Sequence, residues 1–327
     1  MAADPGAYAL AVAAQAIPVV AQDKVSHYAF FLGLSTLTVY LASRAPSLAP
    51  PEEKITFKQA LIAPVAASVS LGGLYAVITI LKVDPSFGYR LLTSLFASGA
   101  SFLLLNDALG AVAGGGGGTD DDGGETATTA VAAALALSLA GVYLGGGALG
   151  LDDVVIKVAA ANFLAWSLAL FAARTVPVRS FKVGAALLFG LFCYDVFFVF
   201  GSDIMVTVAT KIDAPVKLVA PNPAGSANAY ALLGLGDVAL PSLMVAFLAR
   251  RGDALGEAKW RRNAVLAYAV GLCCAFYANE CVRAGQPALL YLVPLTVGSG
   301  VLSAGGPDGL RALLDYEEAS PGKRPSG

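Results

Sequence analysis

The sequence has few charged residues for its length. Of its 327 residues, 13% are charged and 57% are hydrophobic, and the mean hydropathy is +0.70. Because a soluble globular domain carries about 25% charged residues, this composition indicates a membrane protein. The net charge of −2 gives no basic field for nucleic acid, and no nucleic-acid-binding motif is present. We therefore expect no nucleic-acid partner.

Histidine and cysteine are too scarce for several kinds of site. His27 is the single histidine, so an HExxH zinc site is absent, and a serine nucleophile would need this one residue as its base. No CxxC spacing occurs, so neither a zinc site nor a disulfide framework is indicated. We expect no metal and no cofactor. The four cysteines are interpreted as small core residues: Cys193, Cys273, Cys274 and Cys281.

Apolar segments recur along the whole chain. A membrane span needs about 20 mostly apolar residues, and nine windows approach this length. These windows are residues 27–43, 60–81, 89–106, 127–147, 154–173, 182–201, 228–249, 264–282 and 286–304. The predicted fold is an all-α polytopic membrane protein with nine transmembrane helices. Asn162, inside the fifth window, is interpreted as a hydrogen-bonding residue between helices.

The distribution of basic residues predicts the orientation of these spans. With nine spans, the connections alternate between two sides, and one side holds 14 of the 21 Lys and Arg residues. Cytoplasmic loops carry the excess of Lys and Arg. We therefore expect the C-terminus in the cytosol and the N-terminus outside the cell or in a lumen.

Two acidic residues lie deep within predicted spans. Asp195 is in LFGLFCYDVFFVFG and Asp237 is in ALLGLGDVALPSLMVAFL. A charge at the membrane centre costs at least about 2.5–3.5 kcal/mol, so such residues are functional candidates. Asp195 is 13 residues from Lys182, and Asp237 is 13 residues from Arg250. At about 1.5 Å per residue, both carboxylates lie about 20 Å from the same face of the membrane. Because they are at the same depth, the two carboxylates can meet.

A pair of facing carboxylates is suited to hydrolysis. In a low dielectric the two groups share one proton, so one serves as a base that activates water and the other as an acid. An intramembrane aspartate is equally typical of ion or proton transport, and a structural role is the third interpretation. The spacing alone leaves these three open.

The backbone around Asp237 is predicted to be irregular. Pro241 has no N–H, so the helical hydrogen bond to the Asp237 carbonyl cannot form. Gly234 and Gly236 weaken the preceding turn. A carbonyl freed in lipid needs a partner from protein or water, which places Asp237 beside a cavity or another part of the protein. Transporters also contain broken helices at their binding sites, so this feature does not distinguish a protease from a transporter.

Three motifs in order along the chain resemble those of the signal peptide peptidase family, whose sister families are the signal-peptide-peptidase-like proteases and presenilin. Tyr194-Asp195 matches the YD motif, Gly234 to Asp237 matches GxGD, and Gln286-Pro287-Ala288-Leu289 matches QPAL. The similarity is strongest over residues 183–320 and extends to APVKLVAP and the late LDYEEASP. Three motifs in order are far more specific than any one alone.

The resemblance implies a presenilin-like, nine-span intramembrane aspartic endopeptidase with a lumenal N-terminus and a cytosolic C-terminus. Asp195 and Asp237 would be the catalytic pair, with Tyr194 beside the first. Pro287, Ala288 and Leu289 would form the active-site floor and help place substrate, next to Gln286. Pro287 is suited to the first turn of a helix.

The resemblance also implies partners and a location. Substrates would be transmembrane helices, namely remnant signal peptides and similarly oriented (type II) segments, cut within the bilayer of the endoplasmic reticulum. A homo-oligomer is compatible with it as well.

The predicted organisation has four parts. A lumenal segment covers residues 1–26, and a scaffold of five spans covers residues 27–173. A catalytic core of four spans covers residues 174–304, and a cytosolic tail covers residues 305–327. Within the scaffold, residues 114–125 (GGGGGTDDDGGE) are acidic and Gly-rich and predict a disordered loop.

Overall fold

The computed structural model describes residues 5–15, 17–20, 23–45, 47–48, 53–113, 122–146, 154–202, 204–212, 214–222, 230–282 and 285–318. Helices predominate among them. In chain order the elements are α1 (Pro5–Ala14), α2 (Ile17–Val20), α3 (Lys24–Arg44), α4 (Phe57–Thr79), α5 (Ser86–Ala113), α6 (Asp122–Gly145), α7 (Val154–Thr175), α8 (Phe181–Gly201), α9 (Ile204–Lys211), β1 (Lys217–Pro221), β2 (Tyr230–Gly234), α10 (Leu235–Leu255), α11 (Lys259–Val282), α12 (Leu289–Ala304) and α13 (Pro307–Asp315).

The helices identify a multi-pass membrane protein. Within the described ranges, seven helices are long and apolar enough to cross a membrane by themselves. They are Lys24–Arg44, Phe57–Thr79, Ser86–Gly110, Ala127–Gly145, Val154–Thr175, Phe181–Gly201 and Lys259–Val282. Many of their large apolar side chains are exposed on the protein surface, as a lipid-facing surface requires.

Two of the nine predicted windows do not meet this criterion. In window 228–249, residues 230–234 form a strand, so helix α10 begins later and extends past Arg250 and Arg251. Its apolar part is therefore shorter than the window suggested. Helix α12 has 16 residues and qualifies only together with α13, from which it is bent by 116° at Gly305 and Gly306. The helices of the described part of the chain thus account for seven spans, or up to eight.

The chain separates into two compact units that are discontinuous in sequence. The first comprises Met1–Leu41, Pro85–Phe171 and Ile212–Gly236. The second comprises Ala42–Asp84, Ala172–Lys211 and Asp237–Gly327.

In the first unit, α5 and α6 pack closely through small residues. Ala97, Ala100 and Ala136 are at most 3% exposed. Small side chains let helix backbones approach each other, and the Ser98 hydroxyl uses this proximity to donate a 3.3 Å hydrogen bond to the Ala136 carbonyl. A second polar contact joins Thr129 Oγ1 to Asn106 Oδ1 over 3.2 Å.

The first unit also contains a β-hairpin, so the prediction of an all-α fold is wrong at this point. Strands β1 and β2 pair antiparallel, with Val219 opposite Leu232. The side chain of Asn162 on α7 completes the outer edge of β1: its Nδ2 donates to the Val219 carbonyl over 2.9 Å, and the Val219 N–H donates to its Oδ1 over 2.8 Å. The predicted hydrogen bond of Asn162 is present, but its partner is a strand and not a helix.

In the second unit, helices approach each other at glycines. A Cβ on Gly190 of α8 would lie 2.6 Å from Pro64 Cγ on α4, and a Cβ on Gly271 of α11 would lie 3.2 Å from the Leu292 Cα on α12. Helix α4 itself begins with a capping box, in which Thr56 and Gln59 satisfy each other's backbone N–H groups. These contacts fix α4 against α8 and α11 against α12.

Three other predictions have structural outcomes. Residues 114–121 of the acidic loop and residues 319–327 lie outside the described residues, whereas 122–125 belong to α6. The tail contains helix α13. All four cysteines are free and exposed, so placing them in the core was wrong; a weakly polar thiol is tolerated on a surface that faces lipid.

Candidate active site

Asp195 lies on α8 and is 4% exposed. Its Oδ2 accepts a 3.1 Å hydrogen bond from the backbone N–H of Leu289, the first residue of α12. The first N–H groups of a helix have no partner within the helix, and the partial positive charge there stabilises an anion. Asp195 therefore supplies from α8 the cap that the N-cap residue Ala288 cannot provide from its own side chain.

Asp237 is the third residue of α10 and is half-buried. Its carboxyl group is close enough to that of Asp195 for the two to interact electrostatically. Both residues belong to the second unit. The structure thus brings together the two aspartates that the span arithmetic placed at one depth.

The main-chain carbonyl of Asp237 has the external partner that Pro241 makes necessary. Pro241 lies inside α10, is buried and cannot donate to this carbonyl. The phenolic O–H of Tyr268 on α11 donates to it over 3.2 Å. Tyr268 is fully buried. Sequence reasoning missed this residue, although a hydroxyl in the middle of the apolar run AVLAYAV needs a hydrogen-bond partner.

The QPAL residues approach the aspartates through the main chain of Leu289. Pro287, Ala288 and Leu289 are buried, and Gln286 is half-buried with its Oε1 accepting from the Tyr291 hydroxyl over 3.3 Å. The expectation that Pro287 lies in the first helical turn is wrong. Pro287 precedes the N-cap Ala288, and its carbonyl accepts from the Leu290 N–H over 3.1 Å. Because Leu289 is the first residue of α12, its N–H has no partner within the helix and is available to Asp195.

The remaining predicted site residues are Tyr194 and the two glycines of the GxGD motif. Tyr194 is half-buried, with its ring 4.8 Å from that of Phe198 between centroids. Gly234 and Gly236 are exposed and belong to the first unit. Gly234 does not weaken a helical turn as expected, because it is the last residue of β2 and pairs with Lys217. The GxGD motif thus marks a change from strand to helix.

Two further features bear on ligands. In the described part of the chain, no group of three or more His, Cys, Asp or Glu side chains is arranged to hold a metal ion. The first unit contains an apolar cavity of about 430 Å³, which none of the predicted site residues lines. Its lining residues are Val12, Gln15, Leu139, Val142, Val155, Ile156, Ala159, Ala160 and Phe163.

The arrangement provides the parts needed for acid–base hydrolysis. The two carboxyl groups lie within electrostatic range of each other, and two facing carboxyl groups in a low dielectric can share one proton. One of them is additionally hydrogen-bonded by a helix N-terminus. The pair can activate a water molecule and protonate a polarised carbonyl or a leaving amine.

Comparison with known proteins agrees with the motifs. The profile of the family described as Signal peptide peptidase matches residues 127–320. A probable intramembrane protease of Schizosaccharomyces pombe is 38% identical over 169 residues, covering 48% of this chain and 56% of the relative. Signal peptide peptidase of Homo sapiens is 37% identical over 166 residues, covering 49% of this chain and 44% of the relative.

A third relative, Intramembrane protease 2 of Caenorhabditis elegans, is 36% identical over 178 residues, covering 48% of this chain and 38% of the relative. The chain therefore spans about half the length of the curated relatives it matches. The family profile covers more than half of the chain and includes both aspartates, Tyr194 and the QPAL residues. This chain belongs to the signal peptide peptidase family.

Proposed function

We propose that this protein is an intramembrane aspartic endopeptidase whose catalytic residues are Asp195 and Asp237. The observation that carries the proposal is the electrostatic proximity of these two carboxyl groups, one on α8, which is long and apolar enough to cross a membrane, and the other on α10. Family membership supports peptidase chemistry over transport, the main alternative for an intramembrane aspartate pair.

The two carboxyl groups differ in their surroundings, which supports separate roles. Negative charge on Asp195 is stabilised by the Leu289 N–H and by the N-terminus of α12. We assign Asp195 as the base that removes a proton from water, and Asp237 as the acid that protonates the scissile carbonyl oxygen. The resulting tetrahedral diol collapses when Asp195 returns its proton to the leaving amine, which breaks the C–N bond and leaves Asp237 to recover its own proton from a hydroxyl of the diol.

The substrates we propose are transmembrane helices, namely remnant signal peptides and type II segments. The human relative carries the name signal peptide peptidase. A peptide bond within a helix is hydrogen-bonded and sterically covered, so a substrate helix has to unwind beside the aspartates. Strand β2 ends at Gly234 and α10 begins at Leu235, so the chain just before this helix, which carries Asp237, is extended and not helical.

For the whole protein we propose nine spans in the membrane of the endoplasmic reticulum. The N-terminus would be lumenal and the C-terminus cytosolic. Helices α10 and α12 would complete the set of spans beside the seven that qualify by length and composition. The Lys and Arg distribution supports this orientation.

The test is a cleavage assay with purified protein in detergent and a signal-peptide substrate. Asp195→Ala and Asp237→Ala should each lower the rate by at least about 100- to 10,000-fold, as expected for loss of a general acid or base. Asp253→Ala is the matched control, because this α10 carboxylate pairs with Arg261 and lies 16 residues from Asp237. Undiminished cleavage by both site variants would refute the assignment, and ion flux without cleavage by the wild type would favour transport.

A further inference from the structure

The residues that follow α13 hold the segment that precedes α8. Glu317 pairs with Ser180 in an antiparallel bridge. The N–H of Glu318 donates to the Arg179 carbonyl over 2.8 Å. We name residues 316–318 the C-terminal clasp. It belongs to the second unit, together with α8 and the aspartates.

The clasp also holds α10, through side chains. Nε of Arg250 donates to both carboxylate oxygens of Glu318, over 2.9 and 3.0 Å. The same guanidinium donates from Nη2 to the Val178 carbonyl over 3.0 Å. Next to it, the Arg251 guanidinium carbon lies 4.0 Å from the centre of the Tyr316 ring. Glu318 therefore joins the two helices: its main-chain N–H binds Arg179, just before α8, and its side chain binds Arg250 on α10.

This link lies at equivalent heights on the two helices that carry the aspartates. Asp195 is 14 residues after Phe181, the first residue of α8, and Asp237 is 13 residues before Arg250. At about 1.5 Å per residue, both carboxyl groups are about 20 Å from the clasp. Because a helix is stiff along its axis, an axial shift of α8 against α10 at the clasp displaces one carboxyl group relative to the other by a similar distance.

The burial of the Glu318–Arg250 pair distinguishes it from its neighbour. Its side chains are 23% and 27% exposed. Glu317 forms an ion pair of 2.6 Å with Lys54, but these side chains are 55% and 54% exposed. Exposed ion pairs contribute little because water and salt screen them, whereas a charged hydrogen bond shielded from water is stronger. The two adjacent glutamates thus provide a matched pair for experiment.

We propose that Glu318 is a positioning residue for intramembrane cleavage, which fixes the axial register of α8 and α10 and so the geometry of the Asp195–Asp237 pair. This inference rests on the proposed function. Glu318 contacts no reacting atom and acts only through the positions of Asp195 and Asp237. We therefore expect it to affect the rate of the chemical step. A displacement of about 1 Å in a catalytic group can lower a rate about 100-fold.

The test compares Glu318→Gln with Glu317→Gln in the detergent cleavage assay. Glu318→Gln should lower kcat about 10- to 100-fold and leave KM within about twofold, because the lost register affects chemistry and not substrate binding. Glu317→Gln should change kcat by less than about twofold. The number of folded active sites in each preparation is measured by titration with a tight-binding transition-state analogue. Dividing each rate by this number gives the turnover per active site.

A double-mutant cycle tests the path of the effect. Arg250→Gln removes the same ion pair and also the hydrogen bond to the Val178 carbonyl, so Glu318→Gln/Arg250→Gln should be about as slow as Arg250→Gln alone. Additive losses would overturn the proposal. So would equal losses for the two glutamate variants, or a Glu318→Gln loss that disappears when the rate is divided by the titrated sites. Failure of the wild type to cleave, or cleavage by Asp195→Ala, would instead refute the proposed function on which the inference rests.

Discussion

The backbone N–H of Leu289 and the carboxylate of Asp195 are joined by a 3.1 Å hydrogen bond. This contact connects the QPAL segment to the YD segment through a main-chain group at a helix N-terminus. The side chain at position 289 takes no part in it. The structure therefore gives this short apolar motif a direct contact with one of the two aspartates: the turn through Pro287 and Ala288 precedes the donor at the start of α12.

Replacing Leu289 with its α-hydroxy acid exchanges the N–H for an ester oxygen and keeps the isobutyl side chain. We expect turnover to fall about 10- to 150-fold, because a hydrogen bond to a charged group contributes about 1.5–3 kcal/mol. The measurement is kcat for signal-peptide cleavage in detergent. The same exchange at Leu290 is the control, because that N–H donates to the Pro287 carbonyl. Equal losses at the two positions would contradict a specific role for the Asp195 contact.

Tyr268→Phe should destabilise the protein by about 1–3 kcal/mol, because the Asp237 carbonyl, which has no helical donor at Pro241, loses the Tyr268 hydroxyl. The measurement is thermal or denaturant unfolding in detergent. Tyr277→Phe on the same helix is the control, since Tyr277 is 74% exposed. If both variants unfold like the wild type, the Tyr268 hydroxyl is not an important partner of this carbonyl.

Pro241→Ala should reduce the damage caused by Tyr268→Phe. The alanine supplies the N–H that proline lacks, so the Asp237 carbonyl can accept an ordinary helical hydrogen bond. In a double-mutant cycle the combined variant should therefore be more stable than the sum of the single effects predicts. Additive free energies of unfolding would show that the proline and the tyrosine act on different groups.

The helices and the aspartate pair were predictable because they depend on local composition. Apolar length defines a span, and equal distances from Lys182 and Arg250 placed Asp195 and Asp237 at one depth. The hairpin was not predictable in this way. Its strands KLVAP and YALLG are apolar enough to be counted with the predicted spans, but they pair with each other, and β1 also pairs with the side chain of Asn162.

The missed parts of the site share a physical cause. Tyr268 is 31 residues from Asp237, and nothing within either segment specifies that they meet. The donor of Leu289 is a backbone group that every residue except proline possesses, so the residue type carries no signal of its role. Long-range pairs and main-chain donors are determined by packing, which window-based reasoning does not include.

Gly190→Ala should destabilise the protein by about 1–3 kcal/mol through overpacking. The new Cβ would lie 2.6 Å from Pro64 Cγ, and a proline ring cannot rotate away as a flexible side chain would. Helix α8 would have to move, and Asp195 is one and a half turns further along it, so turnover should fall as well. Thermal unfolding and kcat in detergent are the measurements.

The control for this change is Gly73→Ala on α4. Nothing lies within 4 Å of a Cβ at this position. Alanine is favoured over glycine in a helix by up to about 1 kcal/mol, so this variant should be as stable as the wild type or slightly more so. A Gly190→Ala protein with wild-type stability would show that α4 and α8 can separate without penalty.

Asn162→Ala should loosen the hairpin at β1. The substitution removes both side-chain partners of Val219, one for its N–H and one for its carbonyl. Loss of two hydrogen bonds of about 0.5–1.5 kcal/mol each should accelerate amide exchange at β1 about 5- to 150-fold. Hydrogen exchange followed by mass spectrometry of a peptide spanning β1 measures this change. Asn263→Ala removes a side-chain hydrogen bond to Ser303 in the other unit and should leave β1 exchange unaltered. Unchanged exchange in Asn162→Ala would mean that β1 is held by its pairing with β2 alone.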